Sequence, residues 1–558
     1  MLRLLRARAG RRVRRPSFQP PDAAPMSIVR PTAGAAAEDA RAGSAVAAPP
    51  APGAAPAAAV ATPLILLAAA LALRALGFVP AVIDTDEGLY ILQARAWLRG
   101  GWPLVAVWDM HPVGGPALLT LAMAVLGEGV GAVRLFGAVA VALTGWALHG
   151  AARAAGAPHG VALGAGLLYV AHSVLLGGLA TNTEVLLAPF VAAAMALGVR
   201  GAARALERGA APRWRDLVAT GLLVGAALTV KPVAVPEGSL AFLLLTAPAW
   251  RRGALPWRRG LAMAAAYAAL CAAPTALFAL AYALHGAFWE FLDGSFLAPL
   301  RYGGERLDPG TAAWQVGTAM LGLAWLFVMA ALAPLPARRG AAEEGWARRL
   351  GAVGALWFVA ASLAVAMPGM FFEHYFLLWL PPLALLAACG AWRLATCCIA
   401  PPPRRAGLAF ALVIAALSVD AWLGDAVPRM QRGVGLREPD PVRGVAAALA
   451  AAVPRGAPVL VANYHPVVHA LADVGLATRY VFPAQLTGRY GAVAGIDMDA
   501  EVARVLASRP AAIVVDRGWW TAMRPTVRAM LEEALAQDYA IAATVMEERG
   551  PVEIWRRR

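Results

Sequence analysis

Apolar segments of a length suited to crossing a bilayer recur along this chain, and they constrain its fold more than any other feature. A helix needs about 20 apolar residues to cross a hydrocarbon core about 30 Å thick. Eleven candidates fall near residues 61–79, 130–150, 160–177, 183–199, 217–231, 235–249, 261–284, 313–333, 350–367, 375–395 and 406–424. With 60% of the 558 residues hydrophobic and only 15% charged, a polytopic membrane protein is expected. The formal charge of +15 does not indicate nucleic acid. Its arginines sit in short clusters between apolar segments, where topology signals sit, rather than on a basic face with aromatic stacking platforms.

The opening residues "MLRLLRARAGRRVRR" carry arginines but no apolar core or small-residue cleavage site, so no removable signal peptide is expected. Residues 1–60 then turn rich in Pro, Ala and Gly, with almost nothing large to bury, and read as a disordered cytoplasmic tail. With this tail inside, the Arg-bearing connections "RGAARALERGAAPRWRD", "RRGALPWRRG", "PARRGAAEEGWARR" and "PPPRR" also lie inside. The alternate loops, poorer in Arg, face the outer side. Residues 61–424 form the membrane domain. An odd number of spans places residues 425–558 outside, where strand-length runs ("PVLVANY", "AAIVVD", "YAIAATVM") alternate with helical stretches and predict a small α/β domain. The expected fold class is therefore mainly α, a membrane helix bundle with a C-terminal α/β domain.

Four cysteines, Cys271, Cys389, Cys397 and Cys398, lie in or beside apolar segments without zinc-ligand spacing, and no disulfide framework follows from them. The first outer loop is more informative. Its segments "GLYILQARAWLRGG" and "HPVGGPALLTLAMAVLG" have helical periodicity but are too polar or too short to span, and read as interfacial helices with Arg95 and Arg99 directed at headgroups. Ahead of them stands "IDTDEGLY". Asp84 and Glu87 have capping-box spacing and suffice to start a helix. Asp86 is left over at the mouth of a membrane bundle, where an ionisable group is a functional candidate.

This loop, "DEGLYILQARAWLRGGWPLVAVWDMHPVGGPAL", resembles the C-type (GT-C) integral-membrane glycosyltransferases, in particular the bacterial branch related to protein O-mannosyltransferases and aminoarabinose transferases. "TNTEVLLAPFVAAAMAL", "LLVGAALTVKPVAV" and "FFEHYFLLWLPPLALL" extend the resemblance over about residues 60 to 425. It implies a GT-C fold of about eleven spans in a bacterial inner membrane. It also implies a polyprenyl-phosphate sugar as donor and a glycan, lipid or protein acceptor on the extracytoplasmic side. Carried over residue by residue, Asp86 becomes the general base and Glu87 a group that orients sugar or acceptor. Lys231, Arg301 and Tyr302 become candidates for the donor phosphate. Tyr90, Asp109, His111, Glu184, His374 and Tyr375 are expected to line the cavity.

Plainer roles compete for several of these. Lys231 could be a snorkelling helix-end lysine, Glu184 a dipole-favoured first-turn acid, and His374 and Tyr375 ordinary interface residues. "HPVGG" departs from the double-proline form of the loop, and prolines break "TVKPVAV". No cofactor is implied; the pair Asp86 and Glu87 could hold a divalent cation through oxygen ligands, so metal dependence stays open. In the C-terminal domain, His465, His469 and Asp473 have the spacing of one helix face, which suggests a structural helix more than a metal site. A transporter or lipid flippase is the rival class, and would show paired broken helices in corresponding halves. A third reading is a non-catalytic assembly protein that displays its outer domain.

Overall fold

The computed structural model describes residues 54–336, 341–398 and 403–558. The tail expected over residues 1–60 lies outside the described residues as far as residue 53, and parts of the connections "PARRGAAEEGWARR" and "PPPRR" also lie outside them. A helix already runs from Ala54, earlier than the expected end of the tail.

The described residues begin with α1 (Ala54–Leu73), followed by two helices of the first loop, α2 (Thr85–Leu98) and α3 (Gly114–Leu126). Six helices follow in an up-and-down run: α4 (Val130–Ala154), α5 (His159–His172), α6 (Thr183–Arg208), α7 (Trp214–Val230), α8 (Val235–Arg251) and α9 (Trp257–Leu284). Two short helices, α10 (Phe288–Leu292) and α11 (Ala298–Tyr302), form a second outer segment. Then come α12 (Pro309–Gly322), α13 (Ala324–Ala331), α14 (Ala341–Ala366), α15 (Leu380–Cys398) and α16 (Pro403–Arg432).

All eleven apolar segments are helical, but they are not equally long. Among the described residues, seven helices have the length and composition to cross a membrane, or eight if α12 and α13, bent by 75° at their junction, count as one broken span. Several others, α5 and α7 among them, are shorter than the 18 residues of a confident span. The count of about eleven is thus met as helices, not as full-length crossings.

Burial follows position in the bundle. Helix α6 turns most of its residues inward, whereas α9 buries only Met263, Tyr267 and Tyr282 and exposes Leu261, Leu277 and Leu280. An apolar face without protein cover is what lipid requires. Trp257 at the start of α9 and Trp289 beyond its end are both exposed, the placement of aromatic belts at two interfaces. The Arg-bearing ends of α6, α8 and α9 gather at one end of the bundle, and Glu184, Lys231 and the first loop lie at the other.

The C-terminal region is a mixed α/β layer. Helix α17 (Pro441–Ala452) precedes β1 (Pro458–Val461), α18 (Val468–Ala472), β2 (Gly475–Leu476) and α19 (Pro483–Leu486). Then follow α20 (Met498–Ala507), β3 (Ala512–Asp516), α21 (Pro525–Asp538), β4 (Tyr539–Glu547) and β5 (Gly550–Arg557). The sheet order is β2-β1-β3-β5-β4, with β1 parallel to β2 and β3, and β5 antiparallel to β3 and β4. Every residue of "AIVVD" in β3 is buried, as expected for a strand covered on both faces. Strand β5, "GPVEIWRR", is not among the strands expected from the sequence, because its charged residues mask the alternation.

This domain does not hang free of the bundle. A methyl group built on Gly88 of α2 would stand 3.1 Å from the backbone nitrogen of Val467, so glycine permits the close seating of α2 against the start of α18. Arg95 donates to the Ala470 carbonyl oxygen and pairs with Asp473 and with Glu128 at 3.2 Å, while Arg99 reaches Asp473 at 3.4 Å. These arginines were expected to face headgroups; instead they clamp the outer domain, because a carboxylate on α18's far end is within their reach. Correspondingly, residues 87–94 of α2 are buried.

Candidate active site

The cavity, at the end of the bundle opposite the Arg-bearing ends of α6, α8 and α9, is built on the N-terminus of α2. Asp84 has extended backbone and its Oδ1 accepts from the Asp86 amide at 3.0 Å, the expected cap. Its other oxygen, Oδ2, accepts from Asn182 Nδ2 at 3.0 Å and lies 3.2 Å from His374 Nδ1. Burial alone would raise this carboxyl, but His374, the Asp86 amide and Asn182 bring its pKa down to about 2. Asp84, read from sequence as a cap, is therefore also a wall of the cavity.

Asp86 sits on the next turn of backbone in a different state. Among the described residues its carboxylate has no hydrogen bond, and its nearest cation is His374, whose Nε2 is 3.9 Å from Oδ2. Burial, then the negative charge of Asp84, raise its pKa to about 6, against the opposing pull of His374 and His111. Two carboxyls two residues apart are thus driven in opposite directions, the pattern by which acid and base roles separate. The side chain of Asp86 is 27% exposed, open to the cavity.

The cavity has a volume of about 320 Å³. Asp86, His111, Tyr302, His374 and Tyr375, all singled out from sequence, line it together with Asp84. His111 is held by Asp109, which is buried and lies 3.1 Å from His111 Nδ1, and its ring meets Tyr90 edge-on at 5.8 Å. Asp109 and Tyr90 thus stand behind the wall rather than in it.

Several further expectations are corrected. Glu87 does not face the cavity and does not reach back to complete a capping box. It is fully buried, 2.8 Å from Arg134 Nη2, and accepts from the Thr181 amide at 2.9 Å. The reason is Arg134, whose guanidinium also donates to the carbonyl oxygens of Gly77, Pro80 and Ala81 and, buried, needs a counter-charge.

Lys231, expected to meet the donor phosphate, is not among the cavity-lining residues. Its Nζ is 2.5 Å from Glu184 Oε1 and 4.1 Å from the centre of the Tyr375 ring, so Lys231 and Glu184 form an ion pair behind Tyr375. Arg301 is likewise engaged: it pairs with Asp293 at 2.7 Å and donates to the Val493 carbonyl at 2.8 Å, joining α11 to the outer domain. Finally, His465, His469 and Asp473 do not share a helix face, because α18 begins only at Val468; His465 lies 3.3 Å from Thr85 Oγ1, His469 is buried, and Asp473 pairs with Arg95. Among the described residues no three His, Cys, Asp or Glu side chains are placed to hold a metal ion.

Sequence reasoning missed the wall supplied by the outer domain: Phe482, Ala484, Gln485 and Tyr490. Nothing local marks them, since they arrive by tertiary docking. Asn182 was not singled out either; its place as a polar residue directly before an apolar helix is the signal that could have found it.

Beside this cavity runs a second, apolar one of about 750 Å³ between α7, α8 and α9. Pro112 and Pro232 stand in its wall, and they are the chain neighbours of His111 and Lys231. Val224, Leu228, Phe288 and Phe296 complete much of the lining.

Residues 110–284 match the family model described as dolichyl-phosphate-mannose-protein mannosyltransferase. No curated protein matches the chain. Among solved structures the chain is similar to ArnT from Cupriavidus metallidurans bound to undecaprenyl phosphate, with 17% identity, 88% of this chain and 97% of that chain covered, and a TM-score of 0.39. It is also similar to the oligosaccharyltransferase AglB from Archaeoglobus fulgidus in complex with an inhibitory peptide and a dolichol-phosphate, with 13% identity, 89% and 74% covered, and a TM-score of 0.46.

Proposed function

We propose that this chain is a membrane glycosyltransferase that moves a sugar from a polyprenyl-phosphate donor to an acceptor hydroxyl, with Asp86 as general base. The observation that carries this reading is the presence of an acid cavity and an apolar one lined by residues adjacent in the chain, His111 in the first and Pro112 in the second. A donor with a long hydrocarbon tail and a polar, sugar-bearing head needs these two environments side by side. The family match over residues 110–284, by its description a lipid-phosphate-sugar transferase family, points the same way.

The chemistry follows from the charges. An acceptor hydroxyl oxygen bonds to the anomeric carbon as the bond from that carbon to the phosphate oxygen breaks. The hydroxyl proton passes to Asp86, and the polyprenyl phosphate leaves with the bonding electron pair. A carboxylate with a pKa near 6 is ionised at neutral pH yet basic enough to accept the proton as it is released. His374 pairs with Asp84 and stands 3.9 Å from Asp86, and His111, held by Asp109, supplies a polar group on the same cavity wall. Tyr302 offers a hydroxyl to the donor phosphate or the sugar.

The reading also places the N-terminus on the cytoplasmic side of a bacterial inner membrane and the cavity on the outer side. Arg-bearing helix ends opposite the cavity support that orientation. A transporter would need intramembrane charges free to meet a substrate. Lys231 and Glu184, a buried pair behind Tyr375, neutralise each other.

The test uses purified full-length protein supplied with membrane lipid extract, read by release of polyprenyl phosphate together with sugar transfer. Wild type turns over and Asp86→Asn does not, at equal expression. Full activity in Asp86→Asn removes the assignment of the base.

A further inference from the structure

A third cavity, of about 440 Å³, lies in the outer domain and shares Phe482, Ala484 and Tyr490 with the acid cavity. Its floor is the carboxyl end of two parallel strands. Asn463, Tyr464 and His465 follow β1, while Asp516 ends β3 and Trp519 follows it, and all five line the space. From β1 the chain passes to β2 on one side, and β3 lies on the other, so the crevice opens where the strand order reverses. Open α/β sheets bind ligands at this position, because the diverging loops leave a gap above the strand ends.

The gap is held open by specific bonds. Asn463 Nδ2 donates to the Asp516 carbonyl at 2.8 Å, and Asn463 Oδ1 accepts from the Asp516 amide at 2.8 Å, fixing the two strand ends together. Thr487 Oγ1 donates to the Ala462 carbonyl at 2.8 Å. Asp516 Oδ1 is occupied by the amides of Gly518 and Trp519 at 2.7 and 3.3 Å, and Glu547 Oε1 accepts from the Tyr464 hydroxyl. The second oxygen of each carboxylate has no hydrogen bond among the described residues and remains able to accept one.

We propose that this crevice is the acceptor subsite and that it takes a neutral carbohydrate, one sugar ring seated between its aromatic walls with hydroxyls donated to Asp516 and Glu547. Trp519, Tyr464, Tyr490 and Phe482 line the crevice; Arg549 lies over the Trp519 ring at 4.4 Å and Arg489 over the Tyr490 ring at 4.5 Å, and Trp519, still 48% exposed, keeps apolar ring surface for the C–H face of a sugar. The lining carries Asp516 and Glu547 against the single guanidinium of Arg489, so it offers hydroxyl acceptors without the cluster of cations that a phosphate or an acidic sugar would require. Position supports the assignment: His465 in this crevice lies 3.3 Å from Thr85 Oγ1, and Thr85 stands in the chain between Asp84 and Asp86. An acceptor held there extends past the shared wall to the base. The assignment rests on the transferase reading above, whereas binding itself is measured without it.

The test applies full-length protein in detergent, with no donor lipid, to immobilised neutral oligosaccharides, anionic oligosaccharides and unmodified peptides. The expected result is retention by neutral oligosaccharides, weakened about tenfold or more in Trp519→Ala and in Glu547→Gln, each loss corresponding to roughly one aromatic or hydrogen-bonded contact. Trp250→Ala, an exposed indole at the end of α8 and outside the crevice, binds as wild type. Thermal unfolding of each variant separates loss of binding from loss of fold, and Glu547→Gln, which keeps shape, decides if Trp519→Ala unfolds. No retention on neutral oligosaccharides, retention only by peptides or anionic sugars, or undiminished binding in Glu547→Gln overturns the proposal. Because no sugar is transferred in this measurement, a failure of the transferase reading shows only in the lipid-extract assay.

Discussion

His374 Nδ1 stands 3.2 Å from Asp84 Oδ2, on the opposite side of the ring from the nitrogen that faces Asp86. One imidazole thus ties the cap of α2 to its unpaired acid. On the proposed mechanism, losing the Asp86 carboxylate by Asp86→Asn lowers turnover by about 10²–10⁴-fold, with little change in thermal stability, since among the described residues no hydrogen bond depends on it. Steady-state transfer rates and unfolding midpoints of the same preparation check both halves of this statement.

The pH profile follows from Asp86. A base with a pKa of about 6 is protonated below that pH and ionised above it, so transfer rises with pH up to about 6 and then levels. After burial, the charge on Asp84 is the larger cause holding that value up. Asp84→Asn therefore moves the acid limb to lower pH while keeping the helix cap, since an asparagine oxygen accepts from the Asp86 amide as well as a carboxylate does. A limb that stays in place in Asp84→Asn contradicts this account of the shift.

Glu87 and Arg134 test a different property. Glu87→Gln leaves a buried guanidinium without its counter-charge and is expected to cost about 3–5 kcal/mol. Thermal unfolding in detergent measures it. The double change Glu87→Leu with Arg134→Met, which removes both charges, recovers much of the loss; a role for Glu87 in sugar binding would instead appear as a raised KM at unchanged stability.

Lys231 and Glu184 obey the same logic. Lys231→Met strands the Glu184 carboxylate, and adding Glu184→Gln relieves it, so a double-mutant cycle on unfolding free energy returns a coupling of about 0.5–3 kcal/mol. Additive losses would show that the two side chains act separately.

Seating of the outer domain depends on Gly88. Gly88→Ala forces Val467 away from α2, and limited proteolysis of the intact protein is expected to cut sooner in the segment that follows α16. An unchanged cleavage pattern would mean that the backbone yields at no cost.

How far the sequence carried these conclusions differs between elements. Membrane helices were legible because hydropathy over about 20 residues is a strong local signal. Asp86 was legible because the cap accounted for Asp84 and Glu87 and left it over, though Glu87 then proved to serve Arg134. That pairing spans 47 residues, and no local pattern announces it. The same holds for Lys231: an intramembrane lysine is easily seen, but its partner Glu184 comes from another helix. Tyr490 and Phe482 were not legible at all, since their place in the cavity depends on how a separate sheet domain docks. The resemblance drawn from "DEGLYILQARAWLRGGWPLVAVWDMHPVGGPAL" is matched from residue 110 onward by the family model, while the acids themselves precede that match.

The contact of Gly88 with Val467 has a bearing on engineering. A domain whose residues complete the acid cavity, and which packs so closely on α2 that a methyl group at Gly88 would press on Val467, is not a freely interchangeable module. Chimaeras that exchange the outer domain between related chains would need to bring α2 along with it, making that helix, rather than the end of α16, the natural graft boundary.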